Sequence, residues 1–233
     1  MSNFILTNQL HDPEFLEKIE ASGFRAVHYP LIETEPVKMT KEGISQLLAC
    51  DWLLFTSQTA VHAFFQQVTQ PLWHQFAVVG TKTATALKEY GYSASFIPST
   101  FSADRFVEEW NAVQPSGSRV GFCKGNLAKP TIEEGLDALV TAVVVYKTTD
   151  RPEHIEAINK LCLNEPESTL VFASPSGVKV FQEAGGKIAP DTIVCAIGHV
   201  TKQALEEAGL PVHVMPERYT LEDVLLERLQ YKE

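Results

Sequence analysis

The apolar positions of this chain fall into short blocks, and between the blocks apolar residues recur every three or four positions. Five blocks stand out: Phe4-Ile5-Leu6, Trp52-Leu53-Leu54-Phe55, Phe76-Ala77-Val78-Val79, Leu170-Val171-Phe172-Ala173 and Val194-Cys195-Ala196-Ile197. Runs of this length, without polar alternation, predict strands buried on both faces. Phe15, Leu16 and Ile19 show the helical spacing of the segments between them, with Asp12-Pro13 as N-cap and first helical residue and Gly23 as the stop. Alternating strands and helices predict an α/β fold with parallel sheets and right-handed crossovers. Further strands are predicted over 94–97, 119–123, 140–148 and 212–215, a helix over 132–139, and a helix opening at Pro152. The stretch 29–38 holds Pro30, Pro36 and two glutamates with little periodicity, which predicts an extended linker.

The pattern occurs twice. Leu54-Phe55-Thr56-Ser57-Gln58-Thr59-Ala60-Val61 aligns with Val171-Phe172-Ala173-Ser174-Pro175-Ser176-Gly177-Val178, and Val79-Gly80-Thr81-Lys82-Thr83 with Ile197-Gly198-His199-Val200-Thr201. Ser57 pairs with Ser174, Gly80 with Gly198, Gly91 with Gly209 and Pro98 with Pro216, so the register slips by one residue after the serine and then holds. Two copies are too few for a solenoid and fit a duplicated α/β unit. The C-terminal copy supplies only three strands, and the two strands before Tyr29 complete it. Residues 1–33 plus 149–233 are therefore expected to form one discontinuous domain and 37–146 an inserted one, with strands near 29–37 and 143–150 crossing as a hinge.

Composition narrows the class. The chain has 233 residues, 45% of them apolar and 21% charged, with a net charge of -10. That is an ordinary globular composition, and the acidic balance without a Lys/Arg run argues against nucleic acid. Cys50, Cys123, Cys162 and Cys195 are scattered, so neither a zinc site nor a redox pair is predicted and reduced buried thiols are. His11, His28, His62, His74, His154, His199 and His213 lack metal-ligand spacing. A basic start with a signal-length apolar core is absent, as is a run of membrane-span length, so a cytoplasmic location is expected.

Ligands of parallel sheets bind beyond the carboxyl ends of the strands. Those ends carry Thr56-Ser57-Gln58-Thr59, Gly80-Thr81-Lys82-Thr83, Lys124-Gly125-Asn126, Ser174-Pro175-Ser176-Gly177, Gly198-His199-Val200-Thr201 and Arg218-Tyr219-Thr220, each expected to lead into a helix. A helix start presents unpaired N–H groups and the positive end of the dipole. Any one Ser or Thr here reads as a plain N-cap contributing about 1 kcal/mol. Six such turns on facing edges of two domains read instead as a cleft for an anion. Ser57, Thr81, Thr83, Lys124, Gly125, Ser174, Ser176, Gly177, His199 and Thr201 are the candidate binding residues. Tyr146 ends an apolar strand at the proposed crossover, where its phenol can donate a proton to a leaving group. GxGxxG, P-loop and Ser-His-Asp patterns are absent.

These motifs, with Val145-Tyr146-Lys147-Thr148 and Lys124-Gly125-Asn126, resemble the uroporphyrinogen-III synthase family over most of the chain and in family order. The resemblance implies two flavodoxin-like domains joined by a two-stranded hinge. It implies closure of linear hydroxymethylbilane to uroporphyrinogen III, with loss of water and inversion of the last pyrrole ring. It implies no metal or cofactor, a monomer and a linear tetrapyrrole as ligand; transient contact with the enzyme that supplies it is a further partner to test, and charge and hydropathy argue against nucleic acid and membrane. The family threonine after the first glycine turn falls on Thr83, its tyrosine on Tyr146 and its Ser-Pro-Ser turn on Ser174 and Ser176. Its second threonine pair falls on Val200 and Thr201, so one threonine is valine here. Thr59 and Lys124 stand where many members have arginine. Main-chain donors are untouched by such changes. The alternatives are a non-catalytic two-lobed binding protein for a small anion, an FMN electron carrier and a two-lobed glycosyltransferase, a class that runs larger than this chain.

Overall fold

The computed structural model describes residues 1–10, 12–165 and 167–231, so His11 lies outside the described residues. In chain order, β1 (Asn3–Leu6), α1 (Glu14–Ala21), β2 (Arg25–His28) and β3 (Ile32–Pro36) come first. Then follow α2 (Lys41–Leu48), β4 (Trp52–Phe55), α3 (Gln58–Phe65), β5 (Gln75–Val78), α4 (Thr81–Glu89) and α5 (Ala103–Val113). β6 (Ser118–Gly125), α6 (Thr131–Gly135) and β7 (Ala138–Asp150) close the middle of the chain. A 3₁₀ turn (Pro152–His154) leads into α7 (Ile155–Asn164), β8 (Thr169–Phe172), α8 (Pro175–Glu183), β9 (Ile193–Ala196), α9 (His199–Glu207) and α10 (Leu221–Gln230). The chain divides into two compact units, Met1–Glu33 with Thr149–Glu233, and Thr34–Thr148.

The discontinuous unit carries a sheet of order β2-β1-β8-β9, all parallel, with β1 hydrogen-bonded to β8 from Phe4 to Leu6. Val214 adds a single parallel bridge beyond β9. That is the flavodoxin-like order 2-1-3-4-5 with its fifth strand reduced to one residue pair. The middle unit has the order β3-β7-β6-β4-β5, with a bridge from Ala77 to Phe96. Taking β4 as the counterpart of β8, β6 falls on β1 and β7 on β2. Apart from β3, an extra edge strand on β7, the two units therefore share one sheet order, and after β3 the middle unit starts at its third strand. The expected α/β class with two flavodoxin-like sheets is the observed one.

The unbroken apolar blocks are explained by burial on both faces. Ile5, Leu170, Phe172, Val194 and Ala196 line one side of the first sheet, and Phe4, Leu6, Val171, Ile193 and Cys195 the other. In the middle unit Leu53 and Phe55 face one cluster and Trp52 and Leu54 the second. Burial pushes the Cys162 and Cys195 thiols up to about 12 and the Cys123 thiol well above its usual value. The Cys50 thiol is also raised, mainly by burial. Only thiolate reacts, so a disulfide dye at pH 8 should label the folded chain slowly and all four cysteines after denaturation. Fast labelling of the native protein contradicts this packing.

Local expectations needed correction. Segments 94–97 and 212–215 are single bridges rather than strands. The helix expected over 132–139 stops at Gly135, because the β-branched residues from 140 onward pair with β6 and draw Ala138 and Leu139 into β7. Lys124-Gly125-Asn126 therefore ends a strand and does not open a helix. Pro13 occupies the N-cap position of α1, and the Asp12 carboxylate accepts from the Glu14 N–H at 3.0 Å. The expected linker over 29–38 contains β3, and Pro152 opens a 3₁₀ turn ahead of α7.

Candidate active site

In each sheet the chain reverses direction of progression at one point, between β1 and β8 and between β6 and β4. Ligands of such folds sit beyond the carboxyl ends of the strands at this switch. In the middle unit the switch holds Ser57 after β4 and Gly125 at the end of β6. Tyr146, from β7, reaches both. The Ser57 hydroxyl accepts the Ala60 N–H at 3.1 Å as the N-cap of α3, and donates to the Tyr146 phenol oxygen at 3.3 Å. With its oxygen accepting, the phenol retains its own proton for a further acceptor.

Gly125 explains how the ring reaches that place. A Cβ at position 125 would lie 2.5 Å from Tyr146 Cζ and 2.7 Å from its hydroxyl. The pairing of β6 with β7 shifts register between Lys124 and Gly125, which sets Gly125 directly opposite Tyr146. Glycine is needed here for close approach, not for its backbone angles. Lys124 is half-buried and its ammonium pairs with the Glu133 carboxylate.

The helix starts divide into two kinds. Ser57 and Ser174 are self-contained caps: Ser174 Oγ accepts from the Gly177 N–H at 3.3 Å and lies 3.3 Å from Ser176 Oγ, and Pro175 has no N–H. Gly80 and Gly198 are N-caps without a side-chain acceptor. In α4 the Ala84 N–H is the first bonded to the cap carbonyl, and in α9 it is the Lys202 N–H. The N–H groups of Thr81, Lys82 and Thr83, and of His199, Val200 and Thr201, thus have no protein acceptor among the described residues. Thr83 and Thr201 are 4% and 3% exposed, and neither hydroxyl has a hydrogen-bond partner among the described residues. Each helix start therefore offers three main-chain donors and one hydroxyl, aligned with the positive dipole end.

His199 Nδ1 lies 3.1 Å from the Tyr219 hydroxyl, and the Tyr219 ring lies on Gly198. The structure thus brings together Tyr146, Ser57 and Gly125 in the middle unit, and His199 and Thr201 on α9 beside the Ser174 turn on the neighbouring strand of the other. Sequence reading did not single out Phe101 or the Tyr219 ring, which stand next to the capping glycines Gly80 and Gly198. Following the duplication three residues past Pro98 and Pro216 leads to both. It also missed Thr7, whose hydroxyl donates to Val171 O at 2.7 Å at the switch of the discontinuous unit. Among the described residues no cluster of three His, Cys, Asp or Glu side chains forms a metal cage, and no helix is long and apolar enough to cross a membrane.

Fold and site define a protein of two flavodoxin-like domains, each opening a glycine-capped helix with free main-chain N–H groups at the carboxyl edge of its sheet. The family model of uroporphyrinogen-III synthase HemD matches residues 13–225, and the chain belongs to that family. Uroporphyrinogen-III synthase of Chlorobaculum parvum is 26% identical, with 94% of each chain covered. That of Synechococcus elongatus is 28% identical, over 91% of this chain and 88% of its own. Among solved structures, a variant of uroporphyrinogen III synthase from Thermus thermophilus superposes over the whole of both chains with a TM-score of 0.72 at 20% identity. The Helicobacter pylori enzyme superposes over both full chains with a TM-score of 0.62 at 17% identity.

Proposed function

We propose that this chain is a uroporphyrinogen-III synthase, acting as a cyclising hydro-lyase on hydroxymethylbilane. The observation that carries the reading is the family match over 13–225. The substrate bears eight carboxylates, which suit the open N–H groups of α4 and α9 even on a protein of net charge -10. In the proposed reaction the hydroxymethyl C–O bond breaks, pushed by the ring nitrogen, and the oxygen leaves as water with a proton from the Tyr146 phenol. The resulting azafulvene is attacked by the substituted α-carbon of the last ring to give a spiro centre. The original bond from that carbon to its methylene bridge then breaks, leaving an azafulvene on the neighbouring ring, and the free α-carbon of the last ring attacks it, so the ring is joined the other way round. Loss of a proton restores the aromatic system and returns the phenol to its starting state.

The departing oxygen needs little help, so most of the task is holding the chain in the attacking geometry. The Ser57 bond to Tyr146 supports the donor role, because it leaves the phenol proton unused. A binding protein without turnover is not favoured, since the family match and the named relatives all point to the synthase. Fresh hydroxymethylbilane should give predominantly isomer III with this chain, measured by separating the oxidised isomers. Closure without enzyme gives isomer I, so isomer I alone would overturn the assignment.

A further inference from the structure

We infer that Phe101 and Tyr219 are paired shelves on which pyrrole rings of the substrate stack, one beside each glycine-capped helix. The inference rests on the proposed reaction for the identity of the rings. It starts from an anomaly of exposure: Phe101 is 56% and Tyr219 51% exposed, and neither belongs to a hydrophobic cluster of its unit. An exposed aromatic alone means nothing. These two, however, occupy the same place in the duplicated pattern.

Both rings are held in the same way. Ser102 N–H donates to Thr100 O at 2.9 Å, and Thr220 N–H to Arg218 O at 2.9 Å. Phe101 and Tyr219 are the central residues of these i→i+2 turns, a tight three-residue geometry. Immediately afterwards Ser102 caps α5 and Thr220 caps α10. The Phe101 loop is fixed further by Glu109, which accepts the Ser99 N–H at 2.9 Å and the Arg105 Nε–H at 2.7 Å. The Tyr219 ring is fixed by His199, its hydroxyl 3.1 Å from Nδ1.

Each ring stands at a capping glycine. A Cβ on Gly198 would meet Tyr219 Cγ at 2.8 Å, so the ring rests on the glycine itself. A Cβ on Gly80 would lie 3.8 Å from Phe101 Cβ. The same helix starts carry the three open N–H groups and the free hydroxyl of Thr83 or Thr201, residues that are otherwise mostly buried. A flat apolar face next to a carboxylate-sized donor cluster matches one pyrrole carrying one acidic arm. Stacking supplies the area contact, and the helix start takes the charge. The arrangement occurs once per unit, so each unit carries its own ring-plus-acid anchor.

The test is steady-state kinetics with hydroxymethylbilane, together with fluorescence titration of uroporphyrin III, the stable oxidised octaacid. Phe101→Leu and Tyr219→Leu retain apolar bulk and lose the π-face. Each should raise KM and the porphyrin Kd about 2- to 10-fold, the range of aromatic pair energies, with a smaller effect on kcat. The double variant should compound the loss and release more isomer I. The exchange of rings, Phe101→Tyr with Tyr219→Phe, should stay closer to the starting protein than the leucine variants do. Trp73, 94% exposed just ahead of β5, is the control: Trp73→Leu should change neither constant. Should Tyr219→Leu fail to fold, Phe101→Leu carries the test, because Gly80 leaves that ring room to be replaced. Unchanged KM and porphyrin Kd in the leucine variants overturn the inference. Failure of the unaltered chain to make isomer III would instead sink the functional reading, while porphyrin titration would still decide the stacking.

Discussion

Thr81→Pro and His199→Pro should each lower kcat/KM for hydroxymethylbilane by about 10- to 100-fold, the loss of one hydrogen bond to a charged group. Proline is tolerated at the first helical position, where its missing N–H had no helical partner and its fixed φ suits the turn. The preceding glycines are already extended, Gly80 at φ -140, ψ 160 and Gly198 at φ -173, ψ 177, which is the conformation a following proline requires. The chain itself uses this arrangement at Pro175 of α8. The substitution therefore removes a donor while the helix stays, and the thermal midpoint should hardly move. Thr81→Pro is the cleaner of the two, since His199 also holds Tyr219. Thr81→Ala keeps the N–H and loses the hydroxyl, so the proline effect must exceed the alanine effect. Proline variants as active as the starting protein would show that the carboxylates are held elsewhere.

Tyr146→Phe should reduce kcat by about 100-fold, the low end for a general acid, with stability close to the starting protein. Stability should hold because Ser57 continues to cap α3 through the Ala60 N–H. Gly125→Ala should reduce kcat at least as far by another route. Its methyl would fall 2.5 Å from Tyr146 Cζ, so the ring must leave its position against Ser57. Overpacking of this kind costs about 1–3 kcal/mol of stability, and a lowered thermal midpoint should separate it from Tyr146→Phe. If both act through one phenol, the double variant should be no slower than the worse single one. Losses that multiply would mean that Gly125 and Tyr146 act independently. Full activity in Tyr146→Phe would remove the donor role.

The sequence displayed β1, β4, β8 and β9 clearly because these strands are buried on both faces, which turns each into an unbroken apolar word. The caps at Ser57 and Ser174 were equally legible, since capping is written in adjacent residues. Other features depend on distance along the chain. Gly125 and Tyr146 meet because of a register shift in a strand pair, which leaves no local mark. Lys124 looked like an anion-binding cation until folding set Glu133 beside it. The two kinds of helix start were indistinguishable as strings of small polar residues. Only the hydrogen-bond account shows that serine caps consume donors and glycine caps leave them open. The reduced fifth strands kept their apolar letters and lost their ladder, so 94–97 and 212–215 read as more regular than they are.

The permuted path of the chain has a consequence for its synthesis. The pairing of β1 with β8 spans long sequence separations, as in the Thr7 bond to Val171 across 164 positions. While the nascent chain lengthens, β1 and β2 have only each other, and an isolated pair of strands is marginal in water. The unit Thr34–Thr148 emerges in one continuous piece and can be finished before β8 has been translated. The apolar residues Phe4, Ile5 and Leu6 must therefore wait, unpaired on one edge, until the ribosome delivers their partner. Closure of that long loop is the slow step such topology imposes, and it leaves β1 waiting longest for its partner strand.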